Sequence, residues 1–159
     1  MPKVDLIKLE TPPRGLATRL KRAVEALLLE LGHHDNYVTI ILTSDKELKR
    51  LKRKHWGERV TTDVLSFPTY EPGDPFVPKH LGDIFINLQE ASRNALSESK
   101  DLAARNRLAN RTYKKPGLLV SEEVLVLAAH GLWHLLGHDH ATEKEWQGFH
   151  RIQKRILSL

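Results

Sequence analysis

Three histidines stand at His130, His134 and His140 in the string AAHGLWHLLGHDH. Residues four apart on a helix are neighbours on one face, with about 5–6 Å between their Cβ atoms. His130 and His134 can therefore grip a single ion. Gly137 follows three residues after His134. It lets the backbone leave the helix at positive φ and turn back, which would deliver His140 to the same ion. His138 also lies four residues past His134 and competes for the third place, but Gly137 breaks the helical register, so His140 is the expected ligand. Three neutral imidazoles leave the ion's double charge intact and one position open, where a bound water is acidified to a pKa of about 7. The spacing thus predicts one Zn2+ per chain, with nickel or another divalent transition metal as alternatives, at the centre of a hydrolase. The chain has nine histidines, and His33, His34, His55, His80 and His150 show no comparable pattern. Asp139 either accepts from a ligand imidazole or sits solvated in the turn; both roles stay open.

Composition narrows the setting. There is no cysteine, so any metal must be held by histidine or carboxylate, and a reducing, cytoplasmic location is expected. Lys3, Asp5 and Lys8 interrupt the N-terminal segment, which predicts neither a secretory leader nor a membrane span there. The longest apolar run, LVLAAHGLWHLLG, contains histidines and reads as a buried helix. Twenty-five Lys and Arg against twenty Asp and Glu give a net charge of +5, which leans toward an anionic partner. At 159 residues with 40% hydrophobic side chains, one domain with its own core is expected over 1–159.

The elements that must position the histidines can be read from periodicity. KVDLIKL alternates as a short first strand, and Leu16, Leu20, Val24, Leu27 and Leu31 recur at helical spacing before a stop at Gly32. YVTIILTS reads as a strand, and Ser44 with Glu47 has capping-box spacing for a very basic helix ending near Trp56. TDVLSF from Thr62 and LGDIFIN from Leu81 are two further strands, separated by a proline- and glycine-rich loop, and Leu88 to about Ser97 is helical. The polar, basic segment 98–117 predicts a mobile excursion. Ser121, followed by Glu122 and Glu123, is the expected start of the helix that carries His130 and His134. Thr142 and Glu145 form another capping box, after which Trp146, Phe149, Ile152 and Ile156 supply the apolar face of a terminal helix. The fold class is α+β: a small mixed four-stranded sheet flanked by helices, with the metal helix lying across it.

Two families share the histidine spacing. HGLWHLLGHDH resembles the metzincin peptidase motif HExxHxxGxxH in its three histidines and its glycine, but Gly131 stands where that motif has its catalytic glutamate. The only methionine is Met1, so no methionine turn lies beneath the site. The chain more fully resembles the YbeY family of bacterial metal-dependent endoribonucleases. TDVLSFP, LGDIFIN and HGLWHLLGHDH occur in the family's order, and the last resembles its HGxLHLxGYDH signature. The resemblance covers roughly residues 37 to 157 and implies that His130, His134 and His140 are the metal ligands. It also implies a single-strand-specific endoribonuclease, acting in 16S ribosomal RNA 3′-end maturation and ribosome quality control, with a metal-bound water as nucleophile. A metallopeptidase and a non-catalytic RNA-binding ribosome-assembly factor with a structural metal are the alternatives.

The chain departs from the family pattern at three places. His138 replaces a tyrosine, and Trp133 precedes His134 where the family has leucine. The family's arginine, implicated in activity, aligns with Trp56, so no catalytic side chain is assigned. Arg53, Lys54 or Arg59 could supply the missing charge to an RNA phosphate, within the basic run KELKRLKRKHWGER. That run equally suits a solvated helix face. Trp56 either stacks on an unpaired base or closes a core, and a tryptophan at a helix end more often does the latter. Asp63 and Asp83, by the same resemblance, border the cleft.

Overall fold

The computed structural model describes residues 1–96 and 119–159. The excursion expected over 98–117 lies outside the described residues. In chain order the elements are β1 (Lys3–Lys8), α1 (Leu16–Glu30), β2 (Tyr37–Thr43), α2 (Asp45–Trp56), β3 (Val64–Pro68), β4 (His80–Asn87), α3 (Leu88–Leu96), α4 (Val120–Leu135) and α5 (Glu143–Ile156). They form a mixed four-stranded sheet in the order β1-β2-β4-β3, with helices on both sides. β1, β2 and β4 run parallel, and β3 pairs antiparallel to β4 at one edge. Parallel neighbours cannot be joined by a hairpin, and α1 supplies the crossover between β1 and β2.

Period-two alternation divides the sheet's side chains between two cores. Val38, Ile40 and Leu42 of β2, with Ile84 and Ile86 of β4, face the larger core, where they meet Leu20, Val24 and Leu27 of α1 and the apolar side chains of α4. Phe85 of β4 and Leu65 and Phe67 of β3 face the other side, beneath Leu48 and Leu51 of α2. The very basic α2 therefore covers one face of the sheet, and α1, α3, α4 and α5 cover the other. Every residue of α4 from Glu123 to Ala129 is buried, as a helix enclosed all round must be. Among the described residues, no helix is long and apolar enough to cross a membrane.

Helix ends follow local chemistry where nothing outcompetes it. The Thr142–Glu145 capping box forms as its spacing predicts, each residue's side chain meeting the other's amide at 3.2 Å. Ser44 sits at the start of α2 but makes no capping bond; the Asp45 amide instead donates to Gln89 Oε1 at 2.9 Å. Ser121 is not the cap of α4, which begins one residue earlier at Val120, and the Leu119 amide reaches the Glu122 carboxylate. In both cases another polar group reaches the helix start, so the serine hydroxyl is not required there.

The fully buried Asn87, at the end of β4, gathers the chain that precedes β3. Its amide donates to Asp45 Oδ1 at 2.7 Å, to Thr61 Oγ1 and to the Thr62 carbonyl, while its oxygen accepts the Gln89 and Glu90 amides that open α3. With the Thr62 carbonyl taken by a side chain, the strand begins at Val64 rather than at Thr62. Arg93 forks onto Asp45 at 3.0 and 2.5 Å. The Arg93 guanidinium, then the Asn87 amide, hold the Asp45 carboxyl down to about 2 from its usual 3.8. A depressed carboxylate stabilises the fold above its unfolded pKa, and that contribution disappears as pH falls toward 2. Between pH 4.5 and 2.5 the protein should lose about 1 kcal/mol more stability than Asp45→Asn, after allowance for the pair's exposure to solvent. Urea unfolding at the two pH values measures this, and parallel losses in the two proteins would contradict it.

Candidate metal centre

α4 and the turn after it bring three imidazoles together. The ligand-capable nitrogens of His130, His134 and His140 all lie within 4.8 Å of one another. The last turn of α4 closes on Gly137 at φ 93°. The Gly137 amide donates to the His134 carbonyl at 3.0 Å and the His138 amide to the Trp133 carbonyl at 3.2 Å, the paired bonds of a Schellman motif. Only a residue that tolerates positive φ can make this reversal cheaply. Asp139 Oδ1 then accepts the His140 amide at 2.7 Å, so this aspartate secures the turn. The His138 ring is carried away from the group and stacks on Trp133, with centroids 3.7 Å apart and planes 6° from parallel.

The donor geometry suits a metal ion. His130 Nε2 and His134 Nε2 face each other at 3.2 Å, close to the separation of about 3.3 Å between two nitrogens on a tetrahedral zinc. The opposite nitrogens are fixed. His134 Nδ1–H donates to the His138 carbonyl at 3.0 Å, leaving Nε2 with its lone pair. The side-chain amide of the buried Gln153 lies 3.2 Å from His130 Nδ1. When that nitrogen carries the proton, the amide meets it through its oxygen. Burial, with the neighbouring His140, holds His134 below the ordinary imidazole range and so keeps it neutral, as a ligand must be.

α5 walls the group. Phe149, fully buried, stands with its ring centroid 4.7 Å from that of His130 and 4.8 Å from that of His134, and Trp146 stacks on His140 at 4.1 Å. The sequence marks Trp146 and Phe149 as apolar helix face but misses Gln153. Its signal was available: a polar residue four after Phe149 and three before Ile156, within an otherwise apolar stripe.

The motif strings outside the histidines pack the sheet against α4. Ser66 Oγ donates to the Gly131 carbonyl at 3.1 Å. A Cβ at Gly131 would stand 2.6 Å from Ile84 Cγ2 and 3.0 Å from Ser66 Oγ, so the position where a metallopeptidase needs a glutamate is closed by the sheet. Gly82 is tighter: a Cβ there would overlap the Phe67 carbonyl and lie 2.7 Å from Leu135 Cδ2.

The remaining expected residues lie apart from the triad. Arg53, Lys54 and Arg59 are exposed in and just after the last turn of α2, on the other side of the sheet. Trp56 does not close a core, since half of its surface is open to solvent; α2 ends here at Gly57, and the small core beneath is already filled by Leu48, Leu51 and Leu65. Asp83 pairs in register with Thr39, on the face opposite α4, and lies 3.3 Å from His80 Nε2. The Asp63 carbonyl accepts the Asn87 amide at 2.8 Å.

An α+β domain whose buried helix and glycine turn present three imidazoles to one point belongs to the architectures that can seat a catalytic metal with an open position. The family model for Endoribonuclease YbeY matches residues 7–159, and the chain belongs to the YbeY endoribonuclease family. It is 54% identical to a Thermus thermophilus Endoribonuclease YbeY over 156 residues, 98% of this chain and 99% of that one. It is 42% identical to the Deinococcus radiodurans Endoribonuclease YbeY, covering 92% and 90% of the two chains. A Thermotoga maritima protein of known solution structure shares the fold, with a TM-score of 0.57 at 21% identity, over 99% of this chain and 90% of that one.

Proposed function

We propose that the protein is a metal-dependent endoribonuclease that cuts single-stranded RNA, with His130, His134 and His140 holding one Zn2+. The observation that carries this reading is the convergence of three imidazoles, two of which, His134 and His130, have their opposite nitrogens already engaged. Nickel or another divalent ion would fit the same donors. The bound ion would supply Lewis-acid charge to a phosphodiester and acidify water in its open position. The protein's own part is to keep His134 neutral, to aim His134 and His130 through the His138 carbonyl and Gln153, and to enclose the group with Phe149 and Trp146. Arg53, Lys54 and Arg59 would hold phosphates of the same RNA. Family membership supports ribosomal RNA of the small subunit as substrate, with 16S 3′-end maturation and ribosome quality control as the process and the cytoplasm as the place. Gly131 argues against a peptidase, because neither a glutamate nor room for one exists beside His130.

The test is metal removal. Purified protein should contain about one metal ion per chain. Stripping it with a chelator should abolish cleavage of single-stranded RNA, and zinc should restore it, with duplex RNA and casein left intact throughout. Undiminished RNA cleavage by the stripped protein, or hydrolysis of casein in place of RNA, would sink the assignment.

A further inference from the structure

The residue that replaces the family's arginine is a half-exposed tryptophan in an aromatic cluster. Trp56, at the C-terminal end of α2, is 50% exposed. Its ring lies 5.9 Å from Phe67 and 5.8 Å from His55, and His55 lies 4.9 Å from Phe67. Lys52 Nζ stands 5.5 Å from the Trp56 ring centroid. Arg53 and Lys54 precede the tryptophan, and Arg59 follows it, all exposed. Contiguous exposed apolar surface, rather than an isolated side chain, marks a contact site, and here the rings of Trp56, His55 and Phe67 adjoin. Aromatics interleaved with cations form the pattern that binds single-stranded nucleic acid: rings stack on bases while cations track the backbone.

The position of the cluster links it to the metal centre. β3 is an edge strand, and its consecutive residues face opposite ways. Ser66 touches Gly131 of the metal helix, and Phe67, the next residue, touches Trp56. The cluster and the triad helix therefore flank neighbouring residues of the same edge strand, and a single strand of RNA passing around β3 would meet both. A duplex is too stiff for that turn and keeps its bases paired.

We infer that Trp56, set against Phe67 and bordered by Lys52, Arg53 and Arg59, is the platform on which an unpaired base of the RNA stacks, in place of an arginine that would grip a phosphate. This rests on the endoribonuclease reading for its ligand and is tested without cleavage.

Metal-stripped protein is titrated into a fluorescein-labelled, non-pairing RNA dodecamer and into the same strand annealed to its complement, with fluorescence anisotropy as the readout. Trp56→Ala should weaken binding of the single strand about tenfold and leave duplex binding and the salt dependence unchanged. Trp56→Phe, which keeps a ring, should stay within about threefold of the parent. Trp56→Arg should steepen the slope of log affinity against log salt by about 0.7, the value of one phosphate contact on a single strand. Equal thermal melting verifies that the variants fold. Unchanged single-strand binding in Trp56→Ala overturns the platform, as does an equal loss on single strand and duplex, or a Trp56→Phe variant that falls as far as Trp56→Ala. If the parent binds the single strand but does not cut it after zinc is restored, the endoribonuclease reading fails while the platform stands.

Discussion

Alanine at His134 is expected to leave the purified protein without metal and to slow RNA cleavage by at least about a thousandfold, since losing even an outer partner of a metal ligand costs 10–100-fold. His134 is the middle member of the triad, with His130 Nε2 at 3.2 Å on one side and His140 close on the other. Gln153→Ala should give the intermediate result, a loss of about 10–100-fold, because it removes the orienting contact and leaves all three donors in place. Metal analysis and cleavage of end-labelled RNA measure both variants, and a metal-free His134→Ala that still cuts at the parental rate would refute the site. The depressed His134 pKa adds a pH signature. A lowered imidazole pKa keeps the neutral form below the ordinary value of about 6.5, so protonation of this histidine should not release the metal until the pH is under that value. An NMR titration of the metal-free protein in which the His134 ring titrates at or above about 6.5 would contradict this.

The largest loss of stability is expected from Gly82→Ala. Gly82 has φ 149°, a conformation that side chains rarely adopt, and its Cα faces the Phe67 carbonyl, Pro68 Cα and Leu135 Cδ2. Two of these neighbours are backbone atoms and cannot swing aside. Strain and overpacking together should cost about 3–5 kcal/mol, a fall in melting temperature of roughly 10 °C. Gly131→Ala should cost less, about 1–3 kcal/mol, because Ile84 and Ser66 meet it with side-chain atoms. Calorimetry of the two variants decides this, and an alanine tolerated at residue 82 within 1 kcal/mol would show that the strand can retreat from α4.

These glycines show what could be read from the sequence and what could not. Periodicity exposes the buried faces of α1, β2 and α4, because burial imposes a spacing on apolar residues. Gly137 could be placed as the end of a helix for the same kind of reason, since its conformation is dictated by its immediate neighbours. Gly82 and Gly131 are different: the sequence marks Gly131 only as lacking a glutamate and Gly82 not at all, and the packing need for both arises only when β3, β4 and α4 press together. Strand order has the same origin, since alternation says which face a residue takes but not which strand lies beside it. Trp56 failed as a core residue because hydrophobicity alone cannot show that Leu48, Leu51 and Leu65 already fill the space beneath α2. Ser44 and Ser121 carried correct capping chemistry, yet Gln89 and Glu122 met the nearby amides instead.

The turn at Gly137 has a consequence for how this centre tolerates mutation. The group that sets the proton on His134 is the carbonyl of residue 138, and a carbonyl is supplied by every amino acid. Position 138 can therefore drift between histidine and tyrosine without disturbing the imidazole it orients, provided Gly137 keeps the backbone in place. At His130 the orienting contact comes from a side chain, that of Gln153 on a different helix, and a side chain can be lost by substitution. The two imidazoles stand side by side, but substitutions that mistune the centre while leaving its histidines intact should accumulate on α5 rather than in the turn.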